Sequence, residues 1–275
     1  MKKIITALTI LGIGFGLSLN VQASPESDLK EFQGYFKKKF PNVKFEDFSN
    51  GLYALPGAED RRAEWEGLMD FPPFEIDLVK AKKKWKKYNM GSCFKNGGKN
   101  IAQGYPYWDA KNKKVVTIVS DINACLKKNG HKPIKNLKKG EMAQLAAYMK
   151  SLSAGQKINM DMSDPGMRAV YEKGKKFYWA KRGQLNFSCA DCHVSNAGKF
   201  VGGNILSTGL GHGTGFPAYR SKWGGLGTLH RRYGGCNKNI RAKPLKAQGP
   251  EYTALEVYET YMNTGLPLVA PSQRF

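Results

Sequence analysis

Histidine is scarce in this chain, acidic residues are outnumbered, and apolar runs are confined to one end. Four His stand among 275 residues, and 22 Asp+Glu face 44 Lys+Arg, a net charge of +22. After the first twenty or so residues no stretch is apolar enough to cross a bilayer, so no membrane span is expected once that end is removed. The usual nucleic-acid-binding motifs are missing and the basic residues are scattered, so nucleic acid is not expected as a partner. A surface this basic instead attracts acidic proteins or small anions.

The apolar end has the layout of an export signal. Lys2 and Lys3 precede an apolar run from Ile4 to about Leu19, and Val21-Gln22-Ala23 offers small residues for cleavage. A signal peptide over 1–23, a mature chain from Ser24 and a periplasmic location are expected. Five cysteines, an odd number, then meet an oxidising compartment that pairs them or commits them to a cofactor.

Two are committed by Cys189-Ala190-Asp191-Cys192-His193, the C-x-x-C-H pattern of covalent haem attachment. Thiols at this spacing can add to the two haem vinyl groups, and the adjacent imidazole then reaches the iron. Chance gives the pattern in roughly one chain of this composition in a thousand. A zinc site would need a second Cys/His pair at ligand spacing, and a thioredoxin-like site a βαβ context; neither is evident. Upstream, Asp164-Pro165 reads as the start of a helix running to Arg182, and Glu251 to Met262 as a closing helix that packs on it. Gly224-Gly225 and Gly234-Gly235 read as tight turns near the haem.

The two halves of the mature chain match at a constant offset. At 111 residues, Pro106 pairs with Pro217, Thr117 with Thr228 and Cys125 with Cys236; at 110, Leu145 pairs with Leu255 and Tyr148 with Tyr258. This predicts a mainly α protein of two tandem cytochrome c-like domains, over 24–155 and 156–275. In the first copy Ser92-Cys93-Phe94-Lys95-Asn96-Gly97 falls on Ser188 to His193, with Asn96 in place of the second thiol and Gly97 in place of the iron ligand. The first domain therefore reads as one that has lost its haem, leaving one covalently bound haem c per chain. Cys93 and Cys125 are left near each other as an expected disulfide.

Cys236 has three readings: an inert thiol, an intermolecular disulfide partner, or an iron ligand. Met262, His212 and His230 compete for the sixth coordination position. Around Cys236, the cations Arg231, Arg232, Lys238 and Arg241 favour thiolate and suit a small dianion. Asp121 stands opposite Arg232 in the first copy, so the cationic setting belongs to the copy with the haem motif.

Cys189-Ala-Asp-Cys192-His193, His230-Arg-Arg-Tyr-Gly-Gly-Cys236-Asn-Lys-Asn-Ile-Arg241 and the tail Tyr258-x-x-Tyr-Met-Asn-Thr-Gly-Leu-Pro-Leu-Val-Ala-Pro-Ser-Gln-Arg274 resemble SoxA, the larger subunit of the SoxAX cytochromes of thiosulfate oxidation. The resemblance covers nearly the whole mature chain. It implies two cytochrome c domains and axial iron ligation by His193 and Cys236, the latter able to carry an extra sulfur. It implies Arg232 as the active-site arginine and L-cysteine S-thiosulfotransferase activity: thiosulfate is joined oxidatively to a cysteine thiol of a SoxYZ carrier. A small SoxX cytochrome is the implied partner subunit and soluble cytochrome c the electron acceptor. The missing first haem motif places the chain with the one-haem subtype. Two rival classes remain: a plain c-type electron-transfer cytochrome without sulfur chemistry, and an enzyme handling sulfite or tetrathionate.

Overall fold

The structure, a computed structural model, describes residues 24–274, so the expected signal over 1–23 lies outside the described residues. Helix α1 (Pro25–Lys39) opens on a capping box in which Ser24 and Ser27 exchange hydrogen bonds; acids fill its first turn and Lys37, Lys38 and Lys39 its last. Helices α2 (Glu59–Asp70) and α3 (Glu75–Lys87) follow. An antiparallel hairpin of β1 (Tyr107–Asp109) and β2 (Lys114–Val116) leads into α4 (Ile118–Lys128), and then comes α5 (Glu141–Ser151).

The second copy begins with α6 (Pro165–Trp179), where the Asp164 carboxylate accepts from the Gly166 amide at 2.7 Å and Pro165 presets the first turn. A π-helical turn at Asp191–Ser195 and a short hairpin of β3 (Phe200–Val201) and β4 (Asn204–Ile205) come next. Strands β5 (Ala218–Arg220) and β6 (Gly225–Gly227) form a second hairpin into α7 (Leu229–Asn239), and α8 (Pro250–Met262) closes the copy. Strand β7 (Ser272–Arg274) runs parallel to β5.

The bounds of β1, β2 and α4 all recur 111 residues later as β5, β6 and α7, and α5 recurs 110 residues later within α8. The copies differ at the helix start. Thr117 caps α4 by accepting from the Ser120 amide at 3.1 Å, whereas the Thr228 hydroxyl donates to the Leu137 carbonyl at 3.2 Å and ties α7 to the first copy. Helix α7 also runs through Gly234-Gly235, which corrects the expected turn there: the pair lies in mid-helix, and the α-helical ladder that starts at Thr228 runs through it to Ile240.

Helices α6 and α8 cross in close contact. A Cβ added to Gly174 would stand 2.0 Å from the Ala254 carbonyl oxygen, so only glycine lets the backbones meet there. The rings of Tyr171 and Tyr178 pack on Tyr258 at 5.4 and 5.1 Å on either side of the crossing. The cores do not divide the chain at one point. Phe32, Phe36, Phe48 and Leu55 join Met167, Tyr171 and Tyr258 in the larger core, while Leu268 near the tail packs with Trp85, Met90, Ile122 and Leu145. Arg274 reaches back to the Asn50 and Ser49 carbonyls, which makes this tail arginine a structural tie. Cys93 and Cys125 form a disulfide with Cα atoms 5.8 Å apart.

Candidate active site

The attachment segment is folded by its own polar residues. The Ser188 amide and hydroxyl donate to Asp191 Oδ2 at 2.8 and 2.9 Å, and the Asp191 amide donates back to Ser188 Oγ at 2.9 Å. This reciprocal pair bends the chain at Cys189 and starts the π turn that carries Cys192 and His193; such turns recur at functional sites. Among the polar groups, His193 is buried, and its Nδ1 lies 2.9 Å from the Ser207 carbonyl. With Nδ1–H donating there, Nε2 keeps its lone pair, the tautomer a metal-bound imidazole needs. Burial, reinforced by the Arg232 charge and opposed by the Ser207 bond, lowers the His193 pKa and keeps the ring neutral. Burial pushes the Cys189 thiol up to about 12, with Glu259 adding to it, and raises Cys192 as well.

One cavity of about 320 Å³ gathers Cys189, Cys192 and His193 from this segment with Arg232 and Cys236 from α7. Its other walls are mostly apolar, including Phe177, Leu185, Phe187, Leu206 and Leu255. Arg232 and Cys236 stand four residues apart on one helical face, and both line the cavity. Among the competing ligands, Met262 is buried but does not line this cavity. His230 does not line this cavity either: its Nδ1 accepts from the Gln248 amide at 2.9 Å, its Nε2 lies 2.9 Å from Glu256, and the residue lines the groove on the other side of α7. His212 stacks beside His193, ring centroids 4.3 Å apart, with its Nδ1 3.1 Å from Glu259.

Three residues of the site escaped the sequence reading. Glu259 is 3% exposed and accepts from the Tyr233 hydroxyl at 2.6 Å while pairing with His212. Arg220 is brought near Arg232: burial and then the Arg232 charge depress its pKa to about 10, with Cys236 opposing. Lys222 is lowered by Arg220 first and by Arg232 as well. The repeat held a signal for Arg220: Asp109 and Asp121 of the first copy stand at the positions of Arg220 and Arg232. Of the cations expected to assist, Arg231 and Lys238 line a groove on the other side of α7, shared with Arg220 and Lys222, and Arg241 is exposed outside both.

The donor set fits a c-type haem: two adjacent thiols, a neutral imidazole oriented by a carbonyl, and a sulfur from a separate helix, all lining one mainly apolar cavity. In the first copy, the Cys93–Cys125 bond joins the counterparts of Cys189 and Cys236 directly.

Residues 77–158 match the family described as SoxA/TsdA, cytochrome c domain, which places the cytochrome assignment on the copy that lacks the C-x-x-C-H motif. A curated relative from Chlorobaculum thiosulfatiphilum, L-cysteine S-thiosulfotransferase subunit SoxA, is 47% identical over 94% of this chain and 90% of its own length. The same subunit from Allochromatium vinosum is 40% identical over 98% of both chains. The crystal structure of SoxXA from P. pantotrophus superposes with a TM-score of 0.72 and 27% identity, over 80% of this chain and 87% of that one. The chain belongs to the SoxA family, the A subunits of L-cysteine S-thiosulfotransferase.

Proposed function

We propose that this chain is the haem-bearing subunit of a periplasmic enzyme that couples thiosulfate to the cysteine thiol of a SoxYZ-type carrier protein. The observation that carries the reading is the single cavity where the attachment motif, Cys236 and Arg232 meet. Cys189 and Cys192 would hold one haem c covalently, and His193 and Cys236 would ligate its iron. The first domain carries none, because its two equivalent sulfurs are bonded to each other and Asn96 and Gly97 replace the remaining groups. A small SoxX cytochrome forms the heterodimer, by analogy with the SoxXA assembly from P. pantotrophus.

The reaction joins a thiol and the thiosulfate dianion through a new S–S bond, giving a protein-bound thiosulfonate ester anion, one proton and two electrons. Bound haem would supply a one-electron acceptor, and a haem of the partner subunit or soluble cytochrome c would be needed for the second electron. Arg232 and Arg220 hold the oxyanion end of thiosulfate, since a guanidinium fork matches tetrahedral oxygens. The basic field draws the dianion in. Neutral His193, locked by Ser207, stays oriented throughout.

Cys236→Met in the SoxX-bound complex tests this. The variant is expected to retain covalent haem and to lose a thiolate-type paramagnetic resonance signature. Its coupling rate should fall at least a hundredfold. Conjugation of thiosulfate to the carrier at the original rate would overturn the assignment in favour of a plain electron carrier.

A further inference from the structure

Beside the haem cavity lies a second, larger recess of about 450 Å³ on the outward side of α7. Its cations come from three places. Lys138 and Lys139 belong to the first copy, Arg220 and Lys222 to the β5–β6 hairpin, and Arg231, Arg232 and Lys238 to α7. Among the described residues no Asp or Glu lines it. Trp223 forms part of the wall, with the Arg231 guanidinium 4.2 Å and that of Arg220 5.2 Å from its ring centroid, so both cations are held by the same indole. Gly227 makes room for that ring: a Cβ there would stand 2.4 Å from it.

The first-copy wall is fixed rather than draped. The Thr228 amide donates to the Lys138 carbonyl at 3.0 Å, the Thr228 hydroxyl donates to Leu137, and Lys139 bridges Gly227. Like charges gathered around one recess make its potential positive and favour an anion there. The recess is several times larger than a single tetrahedral oxyanion, and its charges are spread over both copies. The matching ligand is an extended chain with several carboxylates. Gly234 and Gly235 line the recess without side chains, and Arg232 lines both it and the haem cavity, so the two adjoin at that residue.

We propose that this groove seats an acidic segment of the thiol-bearing partner protein, and that Lys138 and Lys139 of the haem-free domain form half of the seat. The inference rests on the thiol-coupling reading above and adds the partner's chemistry to it. Rim charges of this kind act on association and its salt dependence more than on the bond-forming step.

The test uses the haem-loaded SoxX complex and two fluorescent peptides, each with one cysteine: one flanked by aspartates, the other with asparagine at every aspartate. Binding is read by anisotropy, and coupling to thiosulfate is read separately. The wild type should bind the aspartate peptide at least tenfold tighter, with a preference that shrinks as salt rises. Lys138→Gln/Lys139→Gln, whose backbone bridge is untouched, should reduce that preference at least threefold, and Lys138→Glu/Lys139→Glu should abolish it. The KM for thiosulfate should stay within twofold in both variants. Equal binding of the two peptides by the wild type, or an unchanged preference in the charge-reversed variant with an unchanged haem spectrum, would overturn the proposal. Binding preference without any coupling would sink the thiol-coupling reading and leave the groove standing.

Discussion

Arg220 and Arg232 occupy positions where the first copy has Asp109 and Asp121, and the exchange of sign tracks the chemistry of each copy. In the first, Asp121 accepts from the Tyr105 hydroxyl and lies 3.4 Å from that of Tyr107, a closed polar contact. In the second, Arg232 lines the cavity with Cys236, Arg220 lines the groove next to it, and burial and then the Arg232 charge depress Arg220 to about 10. A dianion bound between them, as proposed above, would lower the repulsion that Arg232 exerts on Arg220. Arg232→Ala and Arg220→Ala should therefore each lower kcat/KM for thiosulfate. A lost charge-assisted hydrogen bond is worth about 1.5–3 kcal/mol, on the order of ten- to a hundredfold. The double variant should fall short of the product of the single effects, because the two share one ligand. Steady-state kinetics with thiosulfate varied at saturating carrier measures this. Full activity in Arg220→Ala would remove that residue from the substrate contact. Arg232→Lys should recover only part of the loss, since an ammonium cannot reproduce the paired donors of the fork.

The α6–α8 crossing frames one side of the haem cavity, with Phe177 of α6 and Leu255 of α8 on its wall. Gly174→Ala places a methyl 2.0 Å from the Ala254 carbonyl oxygen, backbone that has little freedom to yield. Alanine's better helix propensity returns at most about 1 kcal/mol. Overpacking costs about 1–3 kcal/mol, so a lower denaturation midpoint is expected in chemical unfolding of the haem-loaded protein. An unchanged midpoint would mean that the helices can part without loss. Both helices were legible in the sequence to within a few residues, because Asp164-Pro165 marks one start and each carries an apolar stripe. Helix α6 stops at Trp179 rather than Arg182, whose backbone pairs with Phe187 instead. The repeat was equally legible, since matched turn and cap residues preserved the register of hairpin and helix. Other features depend on contacts between distant parts of the chain and left no local signal. Phe32 packs on Tyr178 and the Gln33 amide donates to the Met262 carbonyl at 3.3 Å, which seats α1 on the second copy. Gly234-Gly235 has the composition of a turn but lies in the middle of α7, where the flanking helix carries it.

At the scale of the whole molecule, one repeated arrangement of sulfur has two outcomes. In the second copy Cys189 and Cys236 face a shared cavity as free cysteines; in the first, their counterparts Cys93 and Cys125 are bonded across a sequence separation of 32. The first copy's interior is filled by protein: Trp85 stacks on Phe94 at 5.4 Å, and Met90 and Ile122 are fully buried. Opening that disulfide should therefore loosen the copy without making a haem site of it. The double substitution Cys93→Ser/Cys125→Ser should cost about 3–4 kcal/mol of stability, the chain-entropy value for a loop of this length. Haem content should not rise, because Asn96 and Gly97 supply neither the second thiol nor the imidazole. Denaturant unfolding together with a pyridine haemochrome assay reads both quantities from one preparation. The seat at Lys138 and Lys139 adds a third consequence. The loop that carries them hangs between α4 and α5, and α4 holds Cys125, so a loosened first copy should weaken binding of the acidic segment while leaving the KM for thiosulfate unchanged. Loss of haem from the double variant would show instead that the first domain supports the cofactor pocket itself, and that its role is not confined to the groove.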